Sequence, residues 1–237
     1  MQNHYDKVSD IYDEHYDQSR GKEYYSNICD TVMEAIHLKG KLLDIGCGTG
    51  LFMQRYLQSG GEVYGLDLSP GMVTQARVRC AGHDVTVGNA EVLPFKENTF
   101  DAVTSLLAFS YLQHPENMLI ESYRVLKPGG VVSICTLGKN AFTSIVPVMY
   151  RIGEKMRIKR VGMASFSEYY YKDPEIRELF EKNGFTDVKV KRKSFAHVDF
   201  GDHLFDATKK IEPFVEDKIP KLAYNICVSG KKPDNLQ

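Results

Sequence analysis

The segment Leu42-Leu43-Asp44-Ile45-Gly46-Cys47-Gly48-Thr49-Gly50 brings three glycines together directly after an apolar run. Side chains at such a turn would hold a ligand away, whereas glycine lets bare backbone approach it. Asp67 closes the next apolar run, inside Gly65-Leu66-Asp67-Leu68. A carboxylate about 20 residues after a glycine turn is placed to accept the two hydroxyls of a ribose. The two features together point to a nucleoside-bearing ligand. A dinucleotide fingerprint, G-x-G-x-x-G, would need glycine where Leu51 stands, and no G-x-x-x-x-G-K-[ST] phosphate loop occurs. Asp44, two residues before the first glycine, would repel a pyrophosphate and attract an ammonium group.

A turn of this kind works only if a rigid frame carries it. Lys41 to Ile45 reads as a buried parallel strand, and Leu51 to Ser59 as the helix that follows, stopped by Gly60-Gly61. Glu62–Leu66 is a second strand, Pro70–Arg79 a second helix, and Asp84–Val87 and Phe100–Leu106 further strands. Pro115–Val125 predicts a helix and Val131–Leu137 a fifth strand. Upstream, Tyr24, Ile28, Val32 and Ile36 fall at helical spacing between Glu23 and Ile36. Such alternation is the signature of βαβ units and a parallel sheet. The rhythm breaks over residues 138–172, which mix apolar, basic and aromatic residues. It resumes with a helix over Asp173–Asn183 and a strand at Val188–Val190. A second interruption near 199–221 carries a helix, Leu222–Ser229 is the seventh strand, and Lys231–Gln237 reads as a loose tail.

At 237 residues the chain suits one large domain with a small elaboration. A net charge of -1 gives no global reason to expect a nucleic-acid partner. Cys29, Cys47, Cys80, Cys135 and Cys227 are scattered, and no C-x-x-C occurs, so neither a zinc ribbon nor a redox pair is indicated. That scatter fits thiols in a reducing compartment. The N-terminus MQNHYDKVSDIYDEHYD lacks the apolar stretch of a signal peptide, and no apolar run reaches the roughly 20 residues that span a bilayer. A cytoplasmic location is the expectation.

Four further segments follow the glycine loop in order: Gly65-Leu66-Asp67-Leu68-Ser69-Pro70-Gly71-Met72, Asn89-Ala90-Glu91-Val92-Leu93-Pro94-Phe95, Phe100-Asp101-Ala102-Val103 and Arg124-Val125-Leu126-Lys127-Pro128-Gly129-Gly130. With the loop, these five segments over residues 42–130 resemble the class I S-adenosylmethionine (SAM)-dependent methyltransferases, especially the small-molecule branch with the ubiquinone/menaquinone-type enzymes. The resemblance implies an α/β, doubly wound, Rossmann-like and mostly parallel seven-stranded sheet with an inserted helical cap. Residues 1–137 would form the SAM-binding core with its N-terminal helical segment, 138–172 the substrate cap, and 173–237 the remainder. It also implies that Gly46 and Gly48 line the methionyl part of SAM while Asp44 orients its ammonium. Asp67 would hold the ribose, and Leu68 and Met72 would pack on the adenine. Ala90 would offer its N–H to that ring, and Leu106 would supply backbone near the methionyl group. The residue that binds the exocyclic amine is usually Asp in the family and is Asn89 here. An amide still accepts that hydrogen bond, with less charge assistance. The product would be S-adenosylhomocysteine.

Less specific candidates remain. Tyr5, Tyr12 and Tyr16 could pack a helix on the sheet, and in look-alike enzymes such a segment folds over the cofactor, with Tyr16 the choice here. His114 and His197 are candidate general bases, although a lone histidine is more often structural. Arg151–Arg160 (RIGEKMRIKR) reads as a solvated helix face, or as a grip on an anionic membrane surface or acidic substrate. Some of Tyr169, Tyr170 and Tyr171 would line the acceptor pocket beneath the cap. No metal-ligand cluster is evident. With no convincing base, an acceptor that is already nucleophilic is favoured: a phenolate, thiolate, amine or enolate-like carbon. The expected activity is methyl transfer to a small molecule. RNA or protein methylation, with support from Lys189–Lys193, and a non-catalytic SAM-fold binding protein are the alternatives.

Overall fold

The computed structural model describes residues 6, 9, 12–13, 16, 19–36, 40–140, 143, 168–196 and 202–234. The apolar runs become one seven-stranded sheet. Its elements are α1 (Ser19–Ile36), β1 (Lys41–Ile45), α2 (Leu51–Gln58), β2 (Glu62–Asp67), α3 (Pro70–Arg79), β3 (Val85–Val87) and β4 (Phe100–Leu106). They continue with α4 (Pro115–Val125), β5 (Leu126–Leu137), α5 (Asp173–Lys182), β6 (Thr186–Lys193), α6 (Asp202–Lys218) and β7 (Asn225–Lys231). The strand order is β3-β2-β1-β4-β5-β7-β6. β7 runs antiparallel to both of its neighbours, and the other ladders are parallel.

Side chains alternate across a strand, so each strand feeds two cores. Leu43 and Ile45 join Val103, Val132 and Ile134 in the layer beneath α4 and α5. Leu42 and Ala102 face the other way, where Tyr24, Ile28, Val32 and Ile36 of α1 meet Phe52 and Met53 of α2 and Val73 of α3. The helical spacing noted for α1 therefore buries one continuous stripe. The order reverses between β1 and β4, and in open α/β sheets that switch point opens a crevice beyond the carboxyl ends of the strands.

Several boundaries differ from the sequence reading: the sixth strand is longer, Thr186–Lys193, the seventh is shifted to Asn225–Lys231, and two further differences have a clear cause. The fifth strand begins at Leu126, not Val131, because Lys127-Pro128-Gly129-Gly130 is absorbed as an irregular start to the strand, with a register shift against Phe100 and Ala102. Gly129 has φ +77° there, and its N–H donates to the Lys232 carbonyl at 2.9 Å. The tail is also less loose than its polarity suggests. Lys231 belongs to β7, and the Lys232 N–H donates to the Gly130 carbonyl at 2.8 Å. The helix expected near 199–221 is α6. Residues 141–142 and 144–167, most of the expected cap, lie outside the described residues.

Candidate active site

β1 ends in a turn where Gly46, Gly48 and Gly50 all have positive φ (+70°, +52° and +85°). A Cβ on Gly46 would sit 2.4 Å from the Ala108 Cβ, so only glycine fits between the turn and the segment after β4. The turn is held from below, since the Gly46 and Cys47 N–H groups both donate to the Leu66 carbonyl of β2. Asp67, at the end of β2, stands beside it. One of its carboxylate oxygens accepts from the Gly48 N–H and the other from the Ser69 N–H, each at 2.9 Å. Burial pushes the Asp67 pKa up, opposed by these backbone donors. Ser69 caps α3, its hydroxyl accepting from the Met72 N–H at 3.2 Å.

Two acids of the N-terminal segment dock on the same loops. Asp6 accepts from the Ser69 hydroxyl and the Gly71 N–H. Asp13 accepts from the Thr49 hydroxyl and pairs with Arg79, whose Nε donates to the Thr49 carbonyl.

These elements enclose a cleft with about 820 Å³ of empty space, partly open to solvent, at the carboxyl ends of β1, β2 and β4. Of the residues expected to bind the cofactor, Gly46, Gly48, Asp67, Leu68, Met72, Asn89, Ala90 and Leu106 all line it. Asp44 and Tyr16 do not. Asp44, like Leu42, points to the α1 face. It is fully buried there and accepts from the Thr104 hydroxyl at 2.9 Å. Burial pushes its pKa up to about 7; the Thr104 bond opposes the shift and the charge of Asp67 adds to it. Tyr12 lines the cleft where Tyr16 was expected, and Tyr16 packs behind it, 5.2 Å from the Tyr12 ring and 5.3 Å from Tyr25. Asn89 uses its side-chain oxygen to accept from the Glu91 N–H at 2.9 Å, which fixes its amide at the rim.

Other lining residues were not singled out from the sequence. Ser105 lines the cleft and is wholly buried, and its hydroxyl has no hydrogen-bond partner among the described residues. A buried orphan hydroxyl is costly unless something else satisfies it. Leu107 stands at φ +59°, its N–H donating to the Cys135 carbonyl at 2.7 Å. Tyr111 also lines the cleft, and its hydroxyl donates to Glu168 at 3.0 Å; Tyr170 donates to the other Glu168 oxygen, also at 3.0 Å. Only the polar pair Thr104-Ser105 inside the otherwise apolar end of β4 could have hinted at Ser105, and Glu168 is too far along the chain to be linked to Tyr111 by any local pattern.

His114 is the N-cap of α4, its side chain 60% exposed and 3.7 Å from Glu116, and it does not line the cleft. His197, Tyr5 and Arg151–Arg160 lie outside the described residues. The three cap tyrosines divide: Tyr169 is half-exposed, Tyr170 half-buried, and Tyr171 sits in the core against Phe109. Among the described residues no group of three metal ligands occurs, and no helix is long and apolar enough to cross a membrane.

The site fits a nucleoside ligand with a polar tail on features of its own: bare backbone at Gly46 and Gly48, a carboxylate fixed beside them by backbone donors, and an unsatisfied hydroxyl at Ser105. The methyltransferase domain family matches residues 43–134. A demethylmenaquinone methyltransferase of Anoxybacillus flavithermus is 32% identical over 213 residues, covering 81% of this chain and 89% of that protein. A malonyl-[acyl-carrier protein] O-methyltransferase of Serratia marcescens is 36% identical over 113 residues, but the match covers only 48% of this chain and 44% of the relative. The crystal structure of a SAM-dependent methyltransferase from Thermotoga maritima shares the fold, with a TM-score of 0.70 at 22% identity over 98% of this chain and 100% of that one. The chain belongs to the class I SAM-dependent methyltransferases, with SAM as its methyl donor.

Proposed function

We propose that the chain methylates a small-molecule acceptor that approaches the cleft from the side of Tyr111 and Glu168. The observation that carries this reading is the continuous cleft itself, with the ribose acid Asp67 and the tyrosine Tyr111 on one surface. When bound, SAM supplies an electrophilic methyl group on a sulfonium. Asp67 would hold the ribose hydroxyls, Asn89 and the Ala90 N–H would read the adenine edge, and Leu68 and Met72 would pack on its faces. Gly46, Gly48 and the backbone at Leu106 would seat the methionyl portion.

The protein's contribution is then orientation and the exclusion of water. Well-oriented partners gain about 7–11 kcal/mol from such positioning. No histidine lines the cleft among the described residues, and Tyr111, hydrogen-bonded to Glu168, is a titratable side chain on its wall. This favours an acceptor that is already nucleophilic, such as an amine, thiolate, phenolate or enolate-like carbon. The demethylmenaquinone methyltransferase relative supports a small acceptor, because its match runs through the C-terminal half as well as the cofactor loop. The basic residues Lys189 and Lys191 lie on β6, at the far edge of the sheet from the glycine turn, and give RNA no footing beside the cleft.

The test is incubation of the protein and labelled SAM with a metabolite extract, followed by identification of the labelled product by mass. A labelled small molecule supports the reading. Label confined to RNA or protein overturns it.

A further inference from the structure

Cys135 and Cys227 are 92 residues apart in the chain, yet they stand directly opposite each other in the β5–β7 ladder. Both side chains belong to the core layer on the α1 face, and their sulfurs are 2.7 Å apart, closer than two unbonded sulfur atoms pack. Cα atoms of opposite residues in antiparallel strands lie about 4.5–5.5 Å apart. That falls within the roughly 4.4–6.8 Å a disulfide needs, so a bond would require little backbone movement. We propose that Cys135 and Cys227 form a reversible oxidation site, closed to a cross-strand disulfide by a peroxide and reopened by a thiol reductant.

The two sulfurs are not equivalent. Cys135 is wholly buried, and burial pushes its thiol up, which suits the resolving partner and not the attacking one. Cys227 is also buried, but it borders a cavity with about 750 Å³ of empty space between α1 and strands β5–β7, whose walls include Thr31, Glu34, Lys189 and Lys191. Lys191 is the residue paired with Cys227 across the β6–β7 ladder, so a cation stands on the side from which an oxidant arrives. The Cys227 thiolate attacks a peroxide oxygen, the O–O bond breaks, and hydroxide leaves and takes up a proton as water. Cys227 is then a sulfenic acid. The Cys135 thiol attacks its sulfur, the S–O bond breaks, the S–S bond forms, and a second water leaves with the Cys135 proton. The two thiols give up two electrons, and hydrogen peroxide is reduced to two waters.

The site adjoins the cofactor cleft. Cys135 pairs in register with Leu106, and its carbonyl accepts from the N–H of Leu107; both leucines line the cleft. Leu107 is held at φ +59°, a conformation a leucine keeps only while its surroundings enforce it. The small movement that closes the bond falls on the residue whose carbonyl anchors Leu107, so the oxidised protein binds S-adenosylhomocysteine at least threefold more weakly than the reduced protein. This weakening rests on the cofactor reading of the cleft; formation of the bond does not.

The experiment treats the full chain with hydrogen peroxide, then maps peptides by mass without reduction and measures S-adenosylhomocysteine binding by calorimetry. The expected result is the loss of two hydrogens, one cross-linked peptide pair joining Cys135 to Cys227, and reversal by dithiothreitol, with the cross-link absent from Cys135→Ser and Cys227→Ser. No bridge, or a bridge through other cysteines, overturns the proposal, and the wild-type mapping stands even if a variant folds poorly. Equal affinity in both redox states overturns the link to the cleft. No binding in either state instead overturns the cofactor reading.

Discussion

Replacing Asp67 by Asn keeps the shape of the side chain and removes only its charge and one acceptor. In the native site both carboxylate oxygens are occupied from the backbone, by the N–H groups of Gly48 and Ser69. An amide has one oxygen and one NH₂, so whichever way it turns, one backbone donor meets another donor. A buried donor left unsatisfied costs about 1–3 kcal/mol, and a hydrogen bond to a charged group contributes about 1.5–3 kcal/mol. The ribose hydroxyls would lose the charged partner while the turn that seats the methionyl portion loosens. A combined loss of about 2–3 kcal/mol corresponds to roughly 30- to 150-fold weaker binding of S-adenosylhomocysteine. Calorimetry on wild type and Asp67→Asn measures this directly, and thermal unfolding of the unliganded proteins reports the cost to the turn. Affinity within threefold of wild type would refute both the ribose assignment and the reasoning from occupied oxygens.

Asp44 is raised to about 7 in the folded protein, against an ordinary value of 3.8. A raised acid favours the fold most below its unfolded pKa, and that contribution is lost as pH rises through about 7. Asp44→Asn should therefore gain stability relative to wild type between about pH 4 and 7, by up to about 1.4 kcal/mol per pH unit. Parallel denaturant titrations of the two proteins across that range would contradict it if their difference stayed flat. Asn89→Asp keeps the acceptor for the Glu91 N–H and adds a charged oxygen toward the adenine amine; S-adenosylhomocysteine should bind a few-fold more tightly, and weaker binding would place the adenine elsewhere. Ser105→Ala should weaken that binding about fivefold, equivalent to about 1 kcal/mol, while leaving unfolding unchanged or slightly more stable because an orphan hydroxyl is gone. Unaltered affinity would make Ser105 part of the packing alone.

Much of the site could be read from the sequence because its parts are local. The glycine turn, Asp67, the Leu68–Met72 step and the Asn89–Ala90 pair each follow a strand end, so placing the strands places them. What escaped depends on chain crossings or on which side a residue faces. Asp44 sits two residues after Leu42 and therefore shares its face of the sheet, where it bonds Thr104 and is not among the residues that line the cleft. Tyr12 and Tyr16 are one helical turn apart in sequence, and nothing local says which of them reaches the ligand. Tyr111 meets Glu168 across 57 residues, and Cys135 meets Cys227 across 92. Long-range pairing also explains β5: Pro128 and the two glycines look like a turn until Lys232 returns to bond across them.

β6 is attached to the sheet through β7 alone. Its ladder amides can be no more durable than those of the strand they lean on, so deuterium should enter β6 at least as early as β7. The cleft draws its strand residues from β1, β2 and β4, which β5 separates from that outer pair. Opening of the outer pair can therefore run its course while the half that grips the nucleoside stays closed, and the slowest-exchanging amides should cluster around β1 and β4.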